Sequence, residues 1–367
     1  MNINNLVRPS IQQLKPYIAG KSTEEVRAKY GLDTIIKLGS NENPLGTSVT
    51  AQKAMADAAG GVSIYPDGSC SQLVGALSSR YQLPGDWFIT GNGSDEIFLM
   101  IAAAFLNPGE ISLVSEHTFS QYACVSGIFN GVIKKIPLAD YTYDLDGFRK
   151  QLNEQVKLIF LCNPNNPTGT YLTHKQIAAF LDELPESCLV VMDEAYGEFA
   201  EADDFPDMVS LVKTYQQLIV CRTFSKIYGL AAVRLGYAIA QENIIKQLKK
   251  VKNFNPFNVN STAQAGAVAA LEDKTFFQLS YETNMIGKKT LTESFKRMGI
   301  TSLPTQGNFI CFQTPIPCID FAEQMAMRGV IIRPLNSFGM DDWCRVTIGT
   351  PDQNKVLLKT MEVVLSL

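Results

Sequence analysis

Histidine is almost missing from this chain, which carries His117 and His174 and no other. The eight cysteines are scattered without close pairing, so neither residue type offers the repeated spacing of a zinc site, and no metal is expected. Cys162, Cys188, Cys221 and Cys311 sit inside apolar, strand-like runs, which reads as reduced thiols in the cytoplasm. There is no basic run and the formal charge is −4, which argues against nucleic acid as a partner. No apolar stretch approaches the ~20 residues of a membrane span. The opening Met1 to Pro9 has no signal-peptide core, so no export leader is expected. Internal repeats and low-complexity linkers are absent too.

With those classes set aside, 367 residues at 46% hydrophobic content can bury a large core, and the length suggests about two domains. From about Leu45 to Ala240 strand-length apolar runs alternate with helical patterns, which predicts a mostly parallel sheet wrapped by helices on both faces. After the Asn253 to Asn258 stretch the pattern changes to long helices, then strands near Asn308 to Gln313, Val330 to Arg333 and Cys344 to Gly349. That reads as a smaller α+β unit. The expected division is an amino-terminal arm (1–44), a large unit (45–255) and a small unit (256–367). A helix should begin after Thr173, whose capping box closes with Gln176. A last helix should follow Thr350 as cap, with Pro351 at its first position.

The most informative residue is Lys226, in Thr223-Phe224-Ser225-Lys226, with Arg234 eight positions on. A lysine amine condenses with a carbonyl only when it is partly deprotonated and held in place, as desolvation and neighbouring cations arrange. The buried run Leu218 to Cys221 would deliver Thr223, Ser225 and Lys226 to a strand's carboxyl end, where ligands collect in open α/β sheets. Arg234, ahead of the apolar Leu235 to Ala240, can aim a guanidinium at the same spot, and a phosphate there would explain both hydroxyls and the arginine. A solvated Lys and Arg flanking two strands is the plainer alternative.

Three more strand ends bear on the choice. Cys188 to Met192 runs into Asp193-Glu194-Ala195-Tyr196, where Asp193 is placed to keep a cofactor's ring nitrogen protonated and Tyr196 to donate to its ring oxygen; a helix cap explains the acid as well. Leu158 to Cys162 runs into Asn163-Pro164-Asn165-Asn166-Pro167-Thr168-Gly169, a stiff loop in which Asn166 can sit edge-on to a flat ring, against the alternative of a plain turn. Gly91-Asn92-Gly93-Ser94-Asp95-Glu96 precedes an apolar helix, so N–H groups at Ser94 and Asp95 suit a phosphate or merely cap that helix. Phe119, after the apolar Ile111 to Val114, serves either as a stacking ring or as core.

These four segments together resemble the fold-type-I pyridoxal-phosphate aminotransferases, in the branch that contains histidinol-phosphate aminotransferase. The likeness covers nearly the whole chain and includes Leu14 to Lys21 and Leu38 to Gly46. The resemblance implies an α/β fold with a large sheet-and-helix domain and a smaller α+β domain. It also implies pyridoxal 5'-phosphate as cofactor, Lys226 as imine former, Asp193 as pyridinium partner and Asn166 with Tyr196 at the ring oxygen. Ser94, Asp95, Ser225 and Arg234 match the phosphate donors, and Phe119 stands where the branch often has tyrosine. For substrate it implies Arg345, with Arg333, Asn41 and Tyr17 beside it; a solvated surface arginine is the alternative for Arg333. Tyr65 resembles the tyrosine that reaches across a homodimer interface to the partner's cofactor phosphate.

The activity so implied is ping-pong transamination between histidinol phosphate and 2-oxoglutarate. Aromatic amino-acid transamination and decarboxylation of the threonine-phosphate type share the cofactor residues and remain alternatives. A non-catalytic regulator is the reading from another class, and none of the usual DNA-binding segment precedes Asn41.

Overall fold

The apolar runs at 158–162 and 188–192 lie side by side near the middle of a seven-stranded sheet. The structure is a computed structural model and describes residues 3–14, 18 and 20–366. Its strands, in chain order, are β1 (Ile36–Lys37), β2 (Phe88–Gly91), β3 (Ile111–Ser115), β4 (Val132–Ile136), β5 (Leu138–Ala139), β6 (Thr142–Tyr143), β7 (Val156–Cys162), β8 (Leu189–Asp193), β9 (Leu218–Thr223), β10 (Gly236–Ile239), β11 (Phe309–Gln313), β12 (Val330–Ile331), β13 (Arg333–Pro334) and β14 (Trp343–Thr347).

The large sheet runs β2-β10-β9-β8-β7-β3-β4. Its β4-β3-β7-β8-β9 part is parallel, while β10 is antiparallel to both β9 and β2. The carboxyl ends of β2, β3, β7, β8 and β9 therefore share one edge with the start of β10, where Gly236 faces both Thr223 and Gly91. Strands covered on both faces are mostly apolar, which is why Leu158 to Cys162 in β7 and Leu189 to Met192 in β8 read as continuous runs rather than alternations. Phe98, Phe160, Val191, Ile219 and Tyr237 belong to the one core that fills this unit.

A second core, around Phe295, Phe312, Phe321, Leu357 and Met361, lies under the antiparallel sheet β11-β14-β13. Residues 21–37 of the amino-terminal arm join it, since β1 pairs in parallel with β12 and Lys21, Lys29 and Tyr30 all bond the Glu323 carboxylate, whereas Arg8 donates to the Ile128 carbonyl of the large unit. The helix Ser261–Glu272 packs instead on Val49–Ala59, and its Ala263, Ala267 and Leu271 enter the large-sheet core. Gly266 permits that approach, because a Cβ there would lie 2.6 Å from Met55 Cγ.

Both expected capping boxes form, Thr173 with Gln176 and Thr350 with Gln353, the second with Pro351 in the helix's first turn. Among the described residues no helix is long and apolar enough to cross a membrane.

Candidate active site

Lys226 leaves β9 through a turn that its neighbours lock. Thr223 Oγ1 accepts from the Ser225 N–H at 3.1 Å, and the Gly229 N–H closes back on the Lys226 carbonyl at 3.0 Å. Gly229 has φ +67°, and a Cβ there would stand 1.9 Å from the Gly46 carbonyl oxygen, so only glycine lets this turn sit against the arm. Lys226 Nζ donates to the Ser40 carbonyl at 3.3 Å and lies 5.5 Å from the centre of the Tyr196 ring. Its pKa is lowered to about 8: desolvation leads, the Arg345 and Arg234 cations add to it, and Glu42 and Asp193 oppose.

Asp193 is the last residue of β8 and is buried. Tyr122 donates to its Oδ2 at 2.6 Å and the Ala195 N–H to its Oδ1 at 2.9 Å. Burial nonetheless wins and pushes the acid up to about 6. Glu194, next in the chain, points its fully buried carboxylate to Arg222, which donates to Glu194 Oε2 through Nη2 at 2.6 Å and Nε at 2.9 Å. Two adjacent acids thus serve two separate surroundings.

Also on the cavity wall, the helix Gly93–Phe105 begins with no side-chain cap from Asn92, leaving first-turn N–H groups for another partner. Gly93 has φ +78° and a Cβ on it would come within 2.6 Å of Arg234 Nη2. Arg234 itself is left-handed, at φ 55°, just before β10. Its Nη1 reaches Ser225 Oγ at 3.5 Å and the Ala231 carbonyl at 3.1 Å, and its Nη2 faces the Asp95 carboxylate at 3.5 Å. Burial raises the Asp95 pKa, against the pull of Arg234 and Lys226. Helix start, hydroxyl and guanidinium thus converge in the manner of an anion cradle.

The Asn163 to Gly169 loop is pinned at both ends. Asn163 exchanges hydrogen bonds with Leu172, and Gly169, at φ +80°, packs against Thr305, which would stand 2.3 Å from an added Cβ. Asn166 Oδ1 accepts from Arg345 Nη1, which orients the amide's donor end away from that arginine. Arg345 also donates through Nη2 to the Gly39 carbonyl at 3.0 Å and stacks its guanidinium 5.3 Å from the Phe309 ring centre. The Tyr196 hydroxyl accepts from Asn41 Nδ2 at 3.1 Å, and burial pushes that phenol's pKa up. Arg333 is buried rather than a surface residue; its Nη2 donates to the Ile18 carbonyl at 2.7 Å.

A cavity of about 230 Å³ collects these groups: Lys226, Asp193, Asn166, Tyr196, Phe119, Ser94, Asp95, Ser225, Arg234, Arg333 and Arg345 all line it. Asn41 stands behind Tyr196 instead of on the wall. Tyr65 lies away from it, 78% exposed and stacked on Phe257 at 4.4 Å between ring centres. Tyr17 falls outside the described residues. Sequence reasoning missed Glu42 and Phe338 on the wall and Tyr122 behind it. Tyr122 had one available signal: it follows Phe119 by three positions at a helix start, so the two rings share a face.

An open α/β sheet with its chemistry gathered at the strand ends, joined to a smaller α+β unit, is the architecture of the fold-type-I transferases. The chain belongs to the family of aminotransferase class I and II, whose model matches residues 33–361. It is 40% identical over 363 residues to histidinol-phosphate aminotransferase 2 of Carboxydothermus hydrogenoformans, covering 99% of this chain and 100% of that one. It is 41% identical over 360 residues to the histidinol-phosphate aminotransferase of Halalkalibacterium halodurans, covering 98% and 97%. Among solved structures, the histidinol-phosphate aminotransferase of Sinorhizobium meliloti in complex with pyridoxal-5'-phosphate superposes with a TM-score of 0.87 at 26% identity, covering 98% of each chain.

Proposed function

We propose that this chain is a pyridoxal-phosphate-dependent aminotransferase of histidine biosynthesis, converting histidinol phosphate and 2-oxoglutarate to imidazole acetol phosphate and glutamate. The observation that carries this reading is a single cavity lined by a lysine whose pKa is lowered to about 8, a buried carboxylate and three arginines. The name borne by relatives about 40% identical over almost the whole chain supports the substrate.

The residues present fit the cofactor chemically. Lys226 would hold its aldehyde carbon, Asp193 its ring nitrogen and Phe119 a ring face. The Asn166 amide and Tyr196 phenol would meet its ring oxygen, and Arg234, Ser225 and the Ser94 and Asp95 N–H groups its phosphate. When bound, pyridoxal phosphate supplies an aldehyde that condenses with amines and a ring that accepts the electron pair left at the substrate carbon. Lys226 Nζ, near half-protonated at pH 8, is matched to accept the proton leaving the substrate carbon and to return one at the end of each half-reaction. Asp193 would hold positive charge at the ring nitrogen, and its burial would strengthen that pairing. Arg345 presents a planar fork to the glutamate carboxylate or the histidinol phosphate anion, with Arg333 and Tyr17 as further substrate donors and Asn41 steadying Tyr196.

The active form in this reading is a cytoplasmic homodimer in which the exposed Tyr65 serves the partner subunit's cofactor phosphate. In this reading the Ser261–Glu272 helix, whose inner face belongs to the large core, goes with the large unit, and the arm is shared: Ile36–Lys37 pairs with the small unit, while Arg8 donates to the Ile128 carbonyl and Asn43 to the Ile227 carbonyl of the large one.

The test is optical. The purified chain should carry the cofactor's visible absorption, borohydride should fix the cofactor's mass on the peptide containing Lys226, and Lys226→Ala should lose both. A colourless protein that never takes up the cofactor sinks the assignment. Histidinol phosphate should then convert the band faster than phenylalanine or tyrosine does; the reverse order would make the enzyme an aromatic aminotransferase.

A further inference from the structure

Tyr122 is fully buried; its hydroxyl donates to Asp193 Oδ2 at 2.6 Å and also lies beside the Cys162 thiol. A phenol in the core costs desolvation that phenylalanine would avoid, so the bond itself is what the oxygen is for. The ring is held from three sides. Phe160 stacks on it at 5.1 Å and 11°, Phe98 meets it edge-on at 5.2 Å, and Phe119 edge-on at 5.7 Å. Ser126 Oγ donates to the Tyr122 carbonyl at 2.8 Å and fixes the backbone of the same turn. With Oδ1 taken by the Ala195 N–H, the two bonds together set the rotation of the Asp193 carboxylate.

The geometry assigns Tyr122 as a positioning residue for Asp193: its phenol fixes the carboxylate's rotation and stabilises its charge toward the cavity. This rests on the proposed cofactor chemistry, in which that carboxylate must be ionised to hold a protonated ring nitrogen. The other groups that face Asp193 do little to keep it charged. Among the described groups that act on it most strongly, Lys226 is the cation, set against the Asp95 carboxylate, the thiols of Cys162 and Cys221 and the phenols of Tyr143 and Tyr196. The Phe119 to Tyr122 segment then sets two features at once, the ring that covers the cofactor and the donor that aims its acid.

Tyr122→Phe removes one oxygen and keeps the stack. The pyridoxal-phosphate dissociation constant of the dimer, measured by equilibrium dialysis, is expected to rise about tenfold, ~1.4 kcal/mol. The acid limb of cofactor binding, the pH below which affinity is lost, should move upward in the variant. In an Asp193→Ala background the same change should leave the dissociation constant where Asp193→Ala alone puts it. An unchanged constant and acid limb in Tyr122→Phe, even with a lowered melting temperature of the apoprotein, would mean the tyrosine only packs and would overturn the assignment. So would a full Tyr122→Phe effect in the Asp193→Ala background. Wild-type protein that takes up no pyridoxal phosphate would instead refute the proposed function, a result that reads differently from either.

Discussion

Asn166 and Arg345 stand 179 residues apart in the chain and meet across the cleft, the guanidinium donating through Nη1 to the amide oxygen. The same guanidinium donates to the Gly39 carbonyl at 3.0 Å, so large sheet, small sheet and arm meet at one side chain. Arg345→Lys keeps the charge but loses the fork, and a lysine ammonium is not a bidentate carboxylate ligand. The expected result is a KM for 2-oxoglutarate raised about tenfold to hundredfold, the worth of a charge-assisted hydrogen bond of ~1.5–3 kcal/mol. Steady-state kinetics with both substrates check this, and an unchanged KM for the keto acid would show that another group takes the carboxylate.

Lys226 gives a prediction about pH. Capture of added pyridoxal phosphate by the cofactor-free chain needs the neutral amine, so the rate should rise with pH below about 8 and level off above it. Arg345 lowers this pKa, so Arg345→Leu should move the turnover point of the profile upward. Stopped-flow absorbance follows the capture directly; coincident profiles for the two proteins would deny the coupling.

Much of this site was legible because parallel strands covered on both faces must be apolar along their length, and their ends then show where polar residues begin. Lys226, Asp193 and Asn166 each follow such a run, Ser94 precedes an apolar helix, and the sheet order brings all four to one edge. The reversal of β10 was not legible, since an apolar run carries no direction. Nor was β1, two residues long, because its pairing with Val330 and Ile331 is a non-local choice with no local periodicity. Arg333 illustrates the same gap: arginines are mostly exposed, and what buries this one is the arm folding over it, seen in its bond to the Ile18 carbonyl. The alanine-rich helix 261–272 has small residues on several faces, so its sequence did not say which unit it would pack on.

Gly229→Ala is expected to be costly. A left-handed backbone with a side chain costs ~1–2 kcal/mol, and the added carbon would lie 1.9 Å from the Gly46 oxygen, so overpacking of ~1–3 kcal/mol adds to it. Urea unfolding should show a loss of about 2–5 kcal/mol by these terms. Stability equal to wild type would mean that the arm can retreat from the lysine turn without cost.

Glu198 predicts a pH dependence separate from the active site. Its carboxylate oxygens are shielded from solvent with no side-chain partner and only its own backbone N–H beside them, and desolvation pushes its pKa up to about 7 despite Arg222 and Arg80 nearby. The unfolded chain releases this proton near its ordinary value of 4.5, the folded chain not until about 7. The penalty is therefore absent below the unfolded value, grows as pH rises from 4.5 to 7, and is constant above, with a ceiling of ~3 kcal/mol. Glu198→Gln should remove that slope, so the difference in unfolding free energy between variant and wild type should favour the variant more at pH 8 than at pH 5. A pH-independent difference would show that Glu198 stays ionised throughout.

The segment from Leu38 to Asn43 touches both sides of the cleft. The Thr347 N–H donates to the Leu38 carbonyl and Arg345 to Gly39 on the small-sheet side, while Lys226 bonds Ser40, Asn41 bonds Tyr196 and Asn43 bonds the Ile227 carbonyl on the other. Those six residues form a strap, and a strap has a mechanical meaning. For the two units to part at Arg345, these bonds must break or the backbone that meets the Lys226 amine must move with them. The Arg345 guanidinium and the Lys226 amine are tied by one short length of chain.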